Sequence, residues 1–316
     1  MTKIIFLDAD TISDADLSAI EQQGELTCYN SDNQDAISAD EFASADVLIS
    51  NKILLKQSEI ARAKALKLIC VAATGYNNVD LNVAEQNQVA VTNVAGYSTE
   101  SVAQHVFALL LNWSIKLTQY QTDVNAGKWQ DSPMFCLLDH PTFELTGKTI
   151  GIIGYGDIGR ATARLAEAFG MKVIIAERAN ATNIRAGRTS LDDVIEQSDV
   201  ISLHCPLSAQ TDQLVDAAFL AKMKSDAILI NTARGGLIDE AALAKALDAG
   251  QLQAALLDGL SVEPPPSDHP LLPQRPNLIL TPHTAWASKQ ARQKLVDEIA
   301  ANIAAFKAGE KRNRLV

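Results

Sequence analysis

The chain is poor in cysteine. Its four, Cys28, Cys70, Cys136 and Cys205, are scattered and show no C-x-x-C spacing. That pattern gives no disulfide framework and no zinc site, and three of the four lie in or beside apolar runs and read as small core residues. Basic charge is also scarce, with 27 Lys and Arg against 38 Asp and Glu and a net charge of −11. A nucleic-acid footprint needs a basic stripe, so that class is excluded, and an acidic balance otherwise speaks mainly to solubility. No apolar run approaches the ~20 residues of a membrane span. The opening MTKIIFLDAD runs straight into a strand-like segment with no secretory h-region. The expected setting is therefore reduced and cytoplasmic, with no metal, no membrane and no nucleic acid. There is no short-period repeat and no low-complexity stretch. What is present is an apolar share of 47% over 316 residues. That is normal for globular cores and long enough for about two domains.

The segment KTIGIIGYGDIGRATARLAEAFGMKVIIAE, residues 148–177, organises the rest. An apolar, β-branched run at 149–153 suits a buried strand. Gly154, Gly156 and Gly159 follow as G-x-G-x-x-G, enclosing Asp157 and Ile158. A helical pattern comes next, with Ile158, Ala161, Leu165 and Phe169 on one face and Gly170 as C-cap. A second strand closes on Glu177. Strand, glycine turn, helix, strand and acid form a dinucleotide-binding fingerprint. Gly154 permits the tight turn, Gly156 lets backbone approach a pyrophosphate, and Gly159 lets helix and strand pack closely. The helix start offers unpaired N–H groups and a positive dipole end. Glu177 is placed to accept the ribose hydroxyls and to repel a 2′-phosphate, which favours NAD over NADP; Arg178 next to it could soften that preference.

Before this segment, strand-like runs at 3–7, 47–50, 68–72 and 89–94 alternate with helical stretches at 14–23, 39–43, 56–65 and 81–88. Such alternation predicts a parallel sheet wrapped by helices. Two turns after strands stand out, Ser50-Asn51-Lys52 and Ala72 through Asp80. Thr74 and Gly75 can present amides to an anion such as a carboxylate, or the segment can be an ordinary turn with Asp80 as helix N-cap. An amphipathic pattern over 98–124 predicts one long helix, with Val102, Val106, Leu109, Leu110, Trp113 and Leu117 inward. Residues 125–146 form an irregular stretch long enough to have a job, packing against a second subunit being one. After the fingerprint, strands are expected at 200–204, 227–231, 254–257 and 278–280, helices at 191–197, 216–223 and 240–249, and a last helix over 288–309 that docks back on the first domain.

Three side chains stand just past successive strands: Arg234 after ILINTA, Glu263 after AALLDG and His283 after LILTP. In open α/β sheets ligands bind at such ends. A histidine can give and take a proton near neutrality, and a carboxylate on its other nitrogen fixes the tautomer. An arginine can grip a carboxylate with two parallel bonds. Each residue alone has an ordinary surface or loop explanation; three together beside a cofactor turn suit the reduction of a 2-keto acid.

These motifs, VAATGYNNVD (71–80), GIIGYGDIGR (151–160), LHCPL with Thr211 (203–211), NTARGGLIDE (231–240), LSVEPPP (260–266) and TPHTAWAS (281–288), span nearly the whole chain. In order and spacing the chain resembles the D-2-hydroxyacid dehydrogenase family, and within it the group acting on glycerate and hydroxypyruvate. The resemblance implies two doubly wound parallel-sheet domains. An NAD-binding Rossmann domain (99–287) is inserted into a flavodoxin-like substrate domain (1–98 plus 288–316) that closes over it. It implies a homodimer formed through the long helix and following loop. It implies catalysis by Arg234, Glu263 and His283, and nicotinamide contacts from Thr232, Ala233 and Asp258. It places His204, Cys205, Pro206 and Thr211 beside adenosine and ribose, and Asn51, Lys52, Ala73, Thr74 and Gly75 around the substrate carboxylate. His105 reads as a packed core histidine. The implied substrate is hydroxypyruvate or D-glycerate, or glyoxylate. A phosphoglycerate dehydrogenase and an NAD-sensing corepressor are the alternatives. Gly259 departs from the larger apolar residue usual in the family, which would loosen the turn beside the nicotinamide.

Overall fold

The computed structural model describes residues 1–179 and 181–316. The chain forms two compact units, Met1–Ser98 with Ala287–Val316, and Thr99–Trp286. In sequence, the second interrupts the first.

The first unit is a sheet of β1 (Lys3–Phe6), β2 (Glu25–Cys28), β3 (Val47–Ser50), β4 (Leu68–Val71) and β5 (Ala90–Thr92), all parallel, in the order β2-β1-β3-β4-β5. This is the flavodoxin-like arrangement. Strands β3 and β4 are buried along their whole length, which is why they read as unbroken apolar runs. Strand β2 escaped the sequence reading. It lies on the sheet edge, half-exposed, with the polar pattern ELTC in place of an apolar run. The helix expected over 14–23 shrinks to Ser18–Glu21, where Asp16 accepts the Ser18 N–H at 2.9 Å and stops the helix from starting earlier. The C-terminal helix Lys289–Lys307 completes this unit. Leu295, Ile299 and Ile303 are fully buried, and Arg292 Nη1 donates to the Ile12 carbonyl at 2.7 Å. Of the four cysteines only Cys70 is buried.

The second unit is a parallel sheet of β6 (Thr149–Ile153), β7 (Lys172–Ile175), β8 (Val200–Leu203), β9 (Ile228–Asn231), β10 (Ala254–Asp258) and β11 (Leu278–Thr281), in the order β7-β6-β8-β9-β10-β11. Beside β7, Ala176 and Thr189 form an isolated parallel bridge. The sequence order reverses between β6 and β8, so the crevice for a ligand opens at the end of β6. There the glycine turn leads into the helix Asp157–Ala168. Its buried face is made of small residues, Gly159, Ala161, Thr162, Ala163 and Ala166, which lets it lie against the helix Thr99–Ile115. Phe169, expected inward, is 39% exposed and stacks on Phe107 with centroids 5.2 Å apart.

The single helix expected over 98–124 is two, Thr99–Ile115 and Leu117–Asn125. They break at Lys116, which takes a left-handed conformation at φ 56°. No glycine or proline marks the break. Asn112 stabilises it by accepting both the Thr118 N–H (3.1 Å) and hydroxyl (2.9 Å), and the Lys116 ammonium sits 3.1 Å above the Trp113 ring. Leu117, expected inward, is 57% exposed as a result. Among the described residues, no helix is long and apolar enough to cross a membrane.

Candidate active site

The glycine turn is built by exclusion. Gly154 holds φ at +96°, and a β-carbon there would overlap the backbone of His204 and Cys205 at the end of β8. One at Gly159 would overlap the Gly154 carbonyl oxygen, so the helix start is pressed onto the turn. Gly156 differs: it is exposed and a β-carbon there meets nothing within 4 Å. Of the three glycines of this turn, Gly156 is the one whose surroundings do not demand a glycine, and it leaves space over the helix N-terminus. Asp157 and Ile158 open that helix, and Asp157 pairs with Arg160.

Glu177 stands at the tip of β7, but its carboxylate is occupied. Arg185 grips it with Nε at 2.7 Å and Nη2 at 2.5 Å, and the amides of Arg178 and Arg185 donate at 2.8 and 3.3 Å. The Arg185 guanidinium, with the Arg178 amide second, holds this carboxyl down to about 2. On the opposite flank, His204 is bonded through Nε2 to the Ser202 hydroxyl at 2.9 Å. Burial pushes its imidazole down to about 4 and the Cys205 thiol up to about 11, so both are neutral at pH 7. Pro206 is exposed, and Thr211 spends its hydroxyl on the Pro206 carbonyl at 2.6 Å, closing the loop after β8.

The three strand-end residues follow β9, β10 and β11, which are neighbours in register. His283 Nδ1 lies 2.6 Å from Glu263 Oε2, and Glu263 Oε1 accepts the Leu260 N–H at 2.9 Å. A β-carbon at Gly235, next to Arg234, would overlap the backbone of Leu260 and Ser261, so the arginine turn packs under the glutamate loop. Asn231 pins that turn by donating to the Arg234 carbonyl (2.8 Å) and accepting from Ala233 N–H (3.0 Å). Among the described residues no carboxylate lies within 4 Å of the Arg234 guanidinium, whose Nη1 donates only to the Ala233 carbonyl at 2.7 Å. The hydroxyl of Thr232 is buried without a hydrogen-bond partner among the described residues.

Asp258 is fully buried and does not point at open space. It accepts the amides of Thr284 and Ala285, both at 2.8 Å, and the Thr281 hydroxyl at 2.6 Å. That hydroxyl in turn lies 3.0 Å from His105 Nε2. Asp258 and His105 thus hold the turn that carries His283, itself at φ 53°. His105 was set aside in the sequence; a lone histidine on an otherwise apolar helix face was its signal. Gly259 proves necessary at this turn, because φ is +100° and a β-carbon would overlap Glu263 Oε1.

In the first unit, the amides of Asn51, Lys52 and Ile53 all donate to Asp8, at 2.6 to 3.2 Å. Burial raises the Asp8 carboxyl, against the lowering effect of those amides. Asp8 was missed, although an acid directly after IIFL was its signal. Asn78 ties this turn to the next by donating to Ser50 Oγ and the Ile53 carbonyl, each at 3.2 Å. Thr74 bonds the Val94 carbonyl at 2.9 Å, and Asp80 caps the helix Leu81–Gln86. The amides of Ala73, Thr74 and Gly75 donate to no acceptor among the described residues, leaving three consecutive N–H groups for an anion. No cluster of three His, Cys, Asp or Glu side chains suited to a metal occurs among the described residues.

The family model for the D-isomer specific 2-hydroxyacid dehydrogenase NAD-binding domain matches residues 107–285. A glycerate dehydrogenase of Methylorubrum extorquens is 39% identical over 98% of this chain and 98% of its own length. A hydroxypyruvate reductase of Blautia hydrogenotrophica is 38% identical over 97% of each. Among solved structures, an acyclic imino acid reductase in complex with NADPH and D-Arg superposes with a TM-score of 0.86 at 31% identity, covering all of both chains.

Two predictions come from this geometry. Gly259→Ala adds strain of about 1–3 kcal/mol and displaces Glu263. We expect the melting temperature to fall, and any turnover that uses the His283–Glu263 pair to fall by up to about 100-fold. Unchanged turnover in a folded variant would show that the pair tolerates displacement. The second concerns His204, whose folded value of about 4 lies below its ordinary 6.5. The unfolded chain binds that proton more readily, so the contribution is full above 6.5 and is lost as pH falls from 6.5 toward 4. Denaturant unfolding at pH 7 and pH 5 should show less loss in His204→Gln than in the natural chain; equal losses would contradict it.

Proposed function

The chain belongs to the D-isomer specific 2-hydroxyacid dehydrogenase family, an NAD-dependent oxidoreductase group, and from that membership we propose that it reduces hydroxypyruvate to D-glycerate, with glyoxylate as a second substrate. The observation that carries the mechanism is the 2.6 Å bond between His283 Nδ1 and Glu263 Oε2. It assigns the Nδ1 proton to the carboxylate and leaves Nε2 as the nitrogen that exchanges a proton with the carbonyl or hydroxyl oxygen. Among the described residues Nε2 makes no hydrogen bond of its own.

The residues present fit the cofactor. The open space at Gly156, between two glycines with none, suits a pyrophosphate over the helix start. NADH, when bound, supplies the hydride. Gly154, Gly156, Asp157, Ile158 and Gly159 would hold the pyrophosphate. His204, Cys205, Pro206, Thr211 and the Glu177 tip would border the adenosine side, and Thr232 and Ala233 the nicotinamide side, with Asp258 acting only through the turn it holds. Arg234 carries a charge with no carboxylate partner among the described residues, which suits a substrate carboxylate and a polarised carbonyl. The unengaged amides of Ala73, Thr74 and Gly75, with Asn51 and Lys52, suit a carboxylate in the first unit.

We also propose a homodimer. Asp123 is buried and bonded to Lys128 and His140, at 2.5 and 2.7 Å, which folds the 126–146 stretch back on its helix. The fold-back leaves Trp129, Met134, Phe135 and Leu138 at 53, 54, 91 and 75% exposure. A cluster of large apolar side chains on a well-anchored loop marks an interface, and a second copy is the partner of matching chemistry.

With saturating NADH, turnover should be highest on hydroxypyruvate in a panel with glyoxylate, pyruvate and phosphohydroxypyruvate. Fastest turnover of the phosphorylated acid would redirect the assignment, and NADH binding without turnover of any would indicate a sensor. His283→Ala should cut kcat by about 10²–10⁴ with NADH affinity kept, and an undiminished kcat would remove it as proton donor. Light scattering should report a dimer for the natural chain. Phe135→Asp with Leu138→Asp should shift it to monomer, as expected where a truncated hot spot costs about 2 kcal/mol or more; a monomeric natural chain would sink the interface.

A further inference from the structure

The carboxylate that should turn away a 2′-phosphate is already neutralised. Both Glu177 oxygens are taken by the Arg185 fork and by two backbone amides, and only 4% of the residue is exposed. The Arg185 side chain, by contrast, is 58% exposed. Across residues 177–190 there is one acid and there are three arginines, Arg178, Arg185 and Arg188. Arg178 is exposed directly after Glu177. Arg188 donates to the Ala176 carbonyl at 3.4 Å and lies 4.9 Å from the centre of the Tyr155 ring. Tyr155 sits between Gly154 and Gly156, so this cation is held at the edge of the glycine turn.

We propose that Arg185 is a specificity-determining residue: seated on Glu177 it masks the carboxylate, and together with Arg178 and Arg188 it lets the crevice take the 2′-phosphorylated dinucleotide NADPH as well as NADH. The inference rests on the reading of the Gly154–Gly159 turn as a dinucleotide crevice. Glu177 stays ionised at neutral pH, since its carboxyl is held at about 2, so its repulsion is cancelled by a cation and not by a proton. Arg185 meets Glu177 through Nε and Nη2, so its exposed guanidinium keeps Nη1 for a phosphate oxygen and can receive a 2′-phosphate while still seated on the carboxylate. A ribose with a free 2′-hydroxyl needs Arg185 displaced before Glu177 can accept its bonds. A 2′-phosphate does not.

The test is equilibrium binding of NADH and NADPH, followed by nicotinamide fluorescence, to the natural chain, Arg185→Gln and Glu177→Gln. Expected for the natural chain are dissociation constants within about tenfold of each other. Losing a charge-assisted bond and unmasking a like charge should raise the NADPH-to-NADH ratio at least about tenfold in Arg185→Gln. Glu177→Gln should move the ratio the opposite way. A natural chain that binds NADPH more than about 100-fold less tightly than NADH, or ratios unmoved in both variants, would overturn the inference while leaving the dehydrogenase reading intact. Failure of the natural chain to bind either cofactor would remove that reading, and this one with it.

Discussion

The site depends on a carboxylate that is proposed to move no proton. Asp258 ends β10 fully buried and accepts two consecutive backbone amides from the turn after β11 and the hydroxyl of Thr281, the last residue of that strand. A buried carboxylate without partners would cost several kcal/mol. With three short bonds the burial becomes a restraint, because breaking the turn would strand the charge. That restraint lets His283 occupy a left-handed conformation, which costs of order 1–3 kcal/mol when unsupported. The imidazole is thereby delivered to Glu263.

The rest of the second unit follows from holding three neighbouring strand ends level. Parallel pairing puts Asn231 beside Leu257 and Asp258 beside Thr281, so the turns after these strands start together. Each turn is fixed by groups that do not carry the proposed chemistry: the Asn231 side chain for Arg234, the Asp258 carboxylate for His283, and the Leu260 backbone amide for Glu263. Gly235 and Gly259 remove the atoms that would keep these loops apart. Functional groups on loops are then as well located as groups on strands, which acid–base chemistry requires.

Much of this was legible in the sequence, and the reasons are local. Strands buried on both faces announce themselves as apolar runs, so β3, β4 and β6 could be read directly. The glycine spacing follows from contacts within one turn. Arg234, Glu263 and His283 were visible as polar residues following such runs. The misses share a different cause. Strand β2 carries no apolar run, since the edge asks for none. The helix break at Lys116 depends on an asparagine cap four residues earlier, and propensity alone gives it no sign. Asp8, His105 and Arg185 matter only through partners 43, 176 and 8 residues away. Long-range polar pairing leaves no periodic trace, so it needs coordinates.

Three buried carboxylates, Asp8, Asp258 and Glu177, recur at strand tips, and their partners separate them into two kinds. Asp8 and Asp258 are bonded to backbone amides and, for Asp258, one hydroxyl. Such donors belong to the turn itself and cannot leave without unfolding it. Glu177 also accepts two amides, but its strongest partner is a guanidinium on a side chain more than half exposed. That partner is tethered by rotatable bonds and can move off the carboxylate, or take a second anion beside it, while the backbone stays in place. Burial alone therefore does not mark a carboxylate as a staple. Where the donor is fixed, the acid sets geometry; where the donor can swing into solvent, the acid's charge is available or masked according to what else arrives.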